Sequence, residues 1–176
     1  ILRSSDAWSM SFFTFSSAYG RHEVIVESPE HDKQLWDFKE SYLSELLHVY
    51  FNRLAELAKL PSIRYVSVFK NHGREGGTSL AHSHTQALAM SIVPPVIREE
   101  ETAIKQLSSC PYCSIIGIEK GSFRRCFENN SFVAFAPYAS RFNYEIWIFP
   151  KRHVSMFSEL DSSEVFELAK ILQSVL

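Results

Sequence analysis

The chain has 176 residues, of which 45% are apolar and 22% charged, a balance that suits one ordinary globular domain and excludes a disordered chain. A formal net charge of −2 advertises no basic face for nucleic acid or an anionic membrane, and no apolar run reaches the roughly 18 residues of a membrane span. The residues from Ile1 do not read as a secretory leader, and three cysteines, an odd count, argue against a disulfide framework and for a reduced, cytoplasmic setting.

Ile1 to Phe15 has no clear element start. His22 to Glu27 reads as a strand from its β-branched content and alternation, ended by Ser28-Pro29. Lys39 to Leu60 reads as a long amphipathic helix, with Leu43, Leu46, Leu47, Tyr50, Leu54 and Leu57 on one face, stopped by Pro61. Ile63 to Phe69 is a second strand, Asn71 to Thr78 a glycine-rich loop, and His82 to Val93 a third strand ended by Pro94-Pro95. Arg98 to Ser109 reads as a polar linker or short helix. Phe132 to Phe135 and Tyr144 to Phe149 are further strands. Asp161 and Glu164 have capping-box spacing and open a last helix, along which Val165, Leu168, Ala169, Leu172, Val175 and Leu176 recur. That pattern runs to Leu176 with no Gly or Asn cap, and residue 1 is not Met, so the sequence is expected to be a fragment or to lack terminal residues.

Two segments share a layout. Glu23 to His31 and Glu145 to His153 both run Glu, strand, Pro, His, with Glu and His eight apart, and each is followed by a helix. This predicts duplicated units: residues 1–100 as a first unit and residues 101–176 as the start of a second. The expected fold is α+β, each unit an antiparallel sheet with a long helix, both incomplete in this chain. The repeat also predicts that a partner for Cys110-x-x-Cys113 lies before residue 1 and a partner for His82-x-His84 lies beyond Leu176.

His82-Ser83-His84-Thr85-Gln86 is the sharpest chemical feature. In a strand, His82, His84 and Gln86 share a face, a costly surface for a core. The loop running into it carries Gly76, Gly77, Thr78 and Ser79, whose backbone N–H groups and hydroxyls suit a phosphate. A phosphate beside a neutral imidazole suggests nucleophilic phosphoryl or nucleotidyl transfer. The loop lacks the Gly-Lys-Ser/Thr of a P-loop. Cys110 and Cys113 have the spacing of two zinc thiolates, with His153 as a third ligand, although such a pair is also compatible with redox chemistry. His31 and His82 are candidates for a second zinc. Cys126 reads as buried and inert, His48 as structural, and His22 and His72 as weak site candidates.

These residues resemble the galactose-1-phosphate uridylyltransferase family, within the histidine-triad superfamily. The family's His-Pro-His-x-Gln reads His82-Ser83-His84-Thr85-Gln86 here, with Ser in place of Pro. Its Ser-Pro-Asp/Glu-His reads Ser28-Pro29-Glu30-His31, and its Phe-x-Asn-x-Gly reads Phe69-Lys70-Asn71-His72-Gly73. The second half, with CPYC and PKRH, looks closer to archaeal members and to the plant relative that acts on ADP-glucose. The resemblance implies a zinc-containing homodimeric enzyme of galactose metabolism, acting on UDP-glucose and a hexose 1-phosphate. It implies His84 as nucleophile, with Gln86 holding a phosphoryl oxygen and Asn71, Gly77, Thr78 and Ser79 lining the phosphate path. It implies zinc at His31 and His82, and a second zinc at Cys110, Cys113 and His153. Glu100 falls where bacterial members place a ligand for a different second metal. Histidine-triad hydrolases carry a third His where this chain has Gln86, so transfer is favoured over hydrolysis. The alternatives are an ADP-sugar phosphorylase of the same fold and a zinc-stabilised nucleotide-binding module without chemistry.

Overall fold

The structure is a computed structural model that describes residues 8–10, 13–15 and 18–176. The described chain forms two compact units: the residues up to Asp32 with Asn52–Glu100, and Lys33–Phe51 with Glu101–Leu176.

In the first unit, β1 (Trp8–Met10) and β2 (Phe13–Phe15) pair as an antiparallel ribbon. β3 (Gly20–Val26) leads, through the first part of helix α1 (Glu40–Ala58) in the other unit, to β4 (Tyr65–Phe69) and β5 (His84–Met90). β5 is the centre of a three-stranded antiparallel sheet, flanked by β3 and β4. Leu57 of α1 packs with Ala87 and Ala89 of β5, joined by Leu60, Ile63, Val66 and Val68. Helix α2 (Pro95–Lys105) follows where a linker or short helix was expected; Pro95 suits a first helical turn, where its missing N–H has no intrahelical partner to lose.

Strand β5 is shorter than the His82 to Val93 expected. Val26, the last residue of β3, lies opposite His84, because Ser28-Pro29 turns the chain away. At the other end Met90 faces both Gly20 and Tyr65, the first residues of the flanking strands. His82 therefore precedes the strand rather than sharing its face with His84 and Gln86.

In the second unit, helix α3 (Pro111–Glu119) begins at the Cys110 pair, and β6 (Arg125–Glu128), β7 (Phe132–Phe135) and β8 (Trp147–Pro150) form an antiparallel sheet with β7 central. All four β7 residues are buried. Val133 and Phe135 pack with Ile116 of α3, while Phe132 and Ala134 pack with Ile171 of α4 (Ser162–Val175). Helices thus cover both faces of this sheet, which is why FVAF is a continuous apolar run rather than an alternating one. The capping box at α4 is formed as expected: Glu164 N–H donates to Asp161 Oδ1 at 2.9 Å and Asp161 N–H to Glu164 Oε2 at 3.0 Å. Cys126 is exposed, not buried, because the β6–β7 register shifts between Arg125 and Phe127 and leaves Cys126 at a bulge on an edge strand. Among the described residues no helix is long and apolar enough to cross a membrane.

Candidate active site

His84 begins the central strand and is buried, 4% exposed. Its Nδ1–H donates to the carbonyl of His82 at 2.8 Å. That bond sets the tautomer: Nε2 carries the lone pair, the form a nucleophilic imidazole needs. Gln86 lies two residues on, and the His22 Nε2–H donates to Gln86 Oε1 at 2.9 Å. With its oxygen so engaged, the Gln86 amide has its N–H groups to offer an anionic oxygen. His22 was a weak candidate from sequence. It becomes a site residue only because β3 lies beside β5, with Val24 opposite Gln86 and His22 opposite Leu88.

The chain leaves β4 at Phe69, opposite Gln86. Lys70 then turns inward and Asn71 opens the glycine-rich loop. Gly73 and Gly77 have left-handed backbones, with φ of 71° and 77°. A Cβ at Gly76 would collide with the His72 carbonyl oxygen. Gly77 N–H donates to the Arg74 carbonyl (3.1 Å) and Thr78 N–H to that of Gly73 (3.2 Å), so the loop is a built turn. The Thr78 hydroxyl donates to the Leu80 carbonyl at 3.1 Å, within the loop itself. Gly77 and Ser79 are exposed, and Asn71 is half-buried.

His31 and His82 come together, Nδ1 to Nδ1 at 3.1 Å, while the His82 Nε2–H donates to the Ser28 carbonyl at 2.6 Å. The His82 Nδ1 lone pair therefore faces His31. This is how a metal-ligating imidazole is oriented, its second nitrogen fixed by a backbone carbonyl. In the second unit Cys113 Sγ lies 3.2 Å from His153 Nδ1. Cys110, Cys113 and His153 bring their ligand atoms within 4.8 Å of one another, the one such group of three among the described residues. The backbone N–H of Cys113, with that of Tyr112, pulls the Cys110 thiol below its ordinary pKa, and the hydrogen bond with Cys110 pushes Cys113 up. Two thiols, one of them at a helix start, and an imidazole form a donor set that fits zinc. The two histidines of the sequence repeat are placed alike, each presenting Nδ1 to another donor. Glu100 lies exposed on α2, outside that group.

Residues 3–94 match the model of the galactose-1-phosphate uridyl transferase N-terminal domain, slightly over half of the chain. The chain is 35% identical to an ADP-glucose phosphorylase of Arabidopsis thaliana over 162 residues, covering 90% of this chain and 45% of that protein. It is 32% identical to a galactose-1-phosphate uridylyltransferase of Thermotoga maritima over 167 residues, covering 93% of this chain and 52% of that protein. The chain belongs to the galactose-1-phosphate uridylyltransferase family. Solved relatives of this family superpose well. A uridylyltransferase structure gives a TM-score of 0.86 at 30% identity, covering 97% of this chain and 56% of that one. The Arabidopsis thaliana ADP-glucose phosphorylase with bound ADP-glucose gives 0.81 at 33% identity, covering 90% and 51%. The chain spans about half the length of the relatives it matches. The α+β fold is that of its structural relatives.

Proposed function

We propose that this protein is a nucleotidyltransferase that carries a nucleoside monophosphate on His84. The observation that carries this reading is the His84 Nδ1–H to His82 carbonyl bond, which leaves Nε2 as an available nucleophile two residues from Gln86. His84 Nε2 attacks the α-phosphorus of UDP-glucose. A nitrogen–phosphorus bond forms, the bond from that phosphorus to the bridging oxygen breaks, and glucose 1-phosphate leaves with the electron pair. A phosphate oxygen of galactose 1-phosphate then attacks the same phosphorus, releasing UDP-galactose and restoring the imidazole. Gln86 donates its amide N–H to the phosphoryl oxygen as charge develops. Asn71, Gly77, Thr78 and Ser79 line the phosphate path. Zinc would be held by His31 and His82, and by Cys110, Cys113 and His153; its contribution is to pin the segments it joins.

A second reading is an ADP-glucose phosphorylase, in which inorganic phosphate attacks an adenylylated His84 and ADP leaves. The 35% identity to the plant phosphorylase supports it. Intact-mass measurement after incubation with UDP-glucose and, separately, ADP-glucose tests both. A uridylyl gain that is lost on adding galactose 1-phosphate supports the transferase. An adenylyl gain lost on adding phosphate supports the phosphorylase. The absence of either adduct, or an adduct that persists in His84→Ala, overturns the proposal.

A further inference from the structure

Behind His84, on the face of β5 that continues into the alanine core, lies a charged cluster where apolar packing would be expected. Glu27 is 1% exposed, and Ser83 and Thr85 are 2% exposed. The Glu27 carboxylate accepts from the Thr85 hydroxyl at 2.6 Å, from the Ser83 hydroxyl, and from Lys70 Nζ at 2.9 Å. Lys70 also donates to the Ser83 hydroxyl oxygen at 2.8 Å and to the His84 carbonyl at 3.2 Å. Those three bonds use the donor capacity of an ammonium group. The Glu27 N–H adds a backbone bond to the Ser83 carbonyl at 3.2 Å.

The residues before and after His84 are thus held by side chain, and His84 itself by its carbonyl. Two residues further on, the same face is filled by Ala87 and Ala89. A buried ion pair is weak support for stability, because desolvating two charges offsets most of their attraction, and an apolar replacement is often as stable. What the pair provides is geometry. Ser83 takes part through its hydroxyl, which links the carboxylate to the ammonium.

We propose that Glu27, Lys70, Ser83 and Thr85 form a clamp that sets the backbone at His84, and so the direction in which Nε2 points. These are positioning residues acting through His84. The inference rests on the reading of His84 as the nucleophile. A displacement of the nucleophile by about 1 Å is worth up to ~100-fold in rate.

The decisive variant is Glu27→Met/Lys70→Met, which removes both charges and refills the volume, alongside Thr85→Val and Thr85→Ser. We would measure thermal midpoint, affinity for UDP-glucose and ADP-glucose, the single-turnover rate of His84 nucleotidylation, and the ¹⁵N spectrum of the His84 ring. The expected result for the double variant is a folded protein with a lower melting point, because the buried Ser83 and Thr85 hydroxyls lose the Glu27 acceptor, together with unchanged affinity and a rate about 10- to 100-fold lower. Thr85→Val should be slower with the same affinity, and Thr85→Ser should restore the rate by restoring the hydroxyl. A folded double variant within about twofold of the unaltered rate overturns the clamp. If the unaltered protein takes up no nucleotide, the proposed function fails and the ring spectrum decides the clamp by itself. A single Nδ1–H tautomer that becomes mixed in the double variant supports it, and an unchanged spectrum overturns it.

Discussion

The His22 ring and the Gln86 amide meet across β3 and β5, with Nε2 of His22 donating to Oε1 of Gln86 at 2.9 Å. An amide side chain is nearly symmetric in shape but opposite in polarity at its two ends. Only with its oxygen engaged does Gln86 present N–H groups, rather than a second negative dipole, to a phosphate.

His22→Phe should keep the ring's bulk while losing the donor. The expected outcome is roughly 5- to 10-fold slower nucleotidylation of His84, the scale of one neutral hydrogen bond, with little change in stability because the pair is exposed. Gln86→Leu should cost more, about 100-fold, as removal of a donor to developing charge does. Single-turnover kinetics checks both, and equal effects of the two substitutions would argue against His22 acting through Gln86.

The glycine-rich loop gives a second contrast. Gly77→Ala must hold φ near +77°, a left-handed conformation that costs an L-residue roughly 1–2 kcal/mol, yet the new methyl would meet only Asn71 Nδ2, at an ordinary contact distance of 3.9 Å. Gly76→Ala has an ordinary φ but drives its methyl into the His72 carbonyl, so the turn itself must shift. Gly76→Ala is therefore expected to raise KM for the nucleotide sugar more than Gly77→Ala. Steady-state kinetics on the two variants measures this.

The parts of this molecule legible in its sequence are those set by local spacing. The α1 apolar face and the Asp161–Glu164 box depend on residues a few positions apart, and the structure contains them, whereas of the HSHTQ residues expected on one strand face His84 and Gln86 lie in β5 and His82 precedes it. The clamp behind His84 joins residues 27, 70, 83 and 85, and Glu27 looks in sequence like an ordinary strand end. His22 matters only through the register of β3 on β5. The bulge that exposes Cys126 likewise exists only in the pairing of β6 with β7. Helix α3 carries apolar residues with little amphipathic periodicity, PYCSIIGIE, so its helical state is set by packing against the sheet rather than by pattern.

The three cysteines should differ in reactivity. Cys126 is exposed and outside the Cys110, Cys113 and His153 group. With zinc bound, a thiol-alkylating reagent is expected to label Cys126 readily and to spare the other two, whose sulfurs would be engaged by the metal. Chelation should open Cys110 and Cys113 to labelling and lower the thermal midpoint. His153→Ala should lower the zinc content found by metal analysis. Equal labelling of all three thiols in a zinc-replete sample would count against the site.

Acid should find a specific weak point at the start of α4. Glu164 accepts from the Arg152 guanidinium at 2.6 and 2.7 Å and from the Asp161 N–H at 3.0 Å. The Arg152 hydrogen bonds, then the Asp161 backbone donor, hold its pKa down to about 2, against an ordinary value of 4.5. A carboxylate whose pKa is depressed on folding contributes stability that is full above its unfolded value and is lost as the pH falls through its folded value. The contribution of Glu164 is therefore present at neutral pH and declines between pH 4.5 and about 2. Other carboxylates are also held low, among them Glu119 by Arg124 and Glu128 by Lys151, so total acid stability does not isolate this one. The difference between the unaltered protein and Glu164→Gln does. That difference in thermal midpoint is expected to be largest above pH 5 and to shrink as the pH approaches 2. Arg152→Gln should shrink it in the same direction at neutral pH, since it removes the larger of the two causes. A difference that stays constant with pH would mean the Glu164 charge contributes nothing, leaving only its hydrogen bond to the Asp161 N–H, which glutamine can also accept.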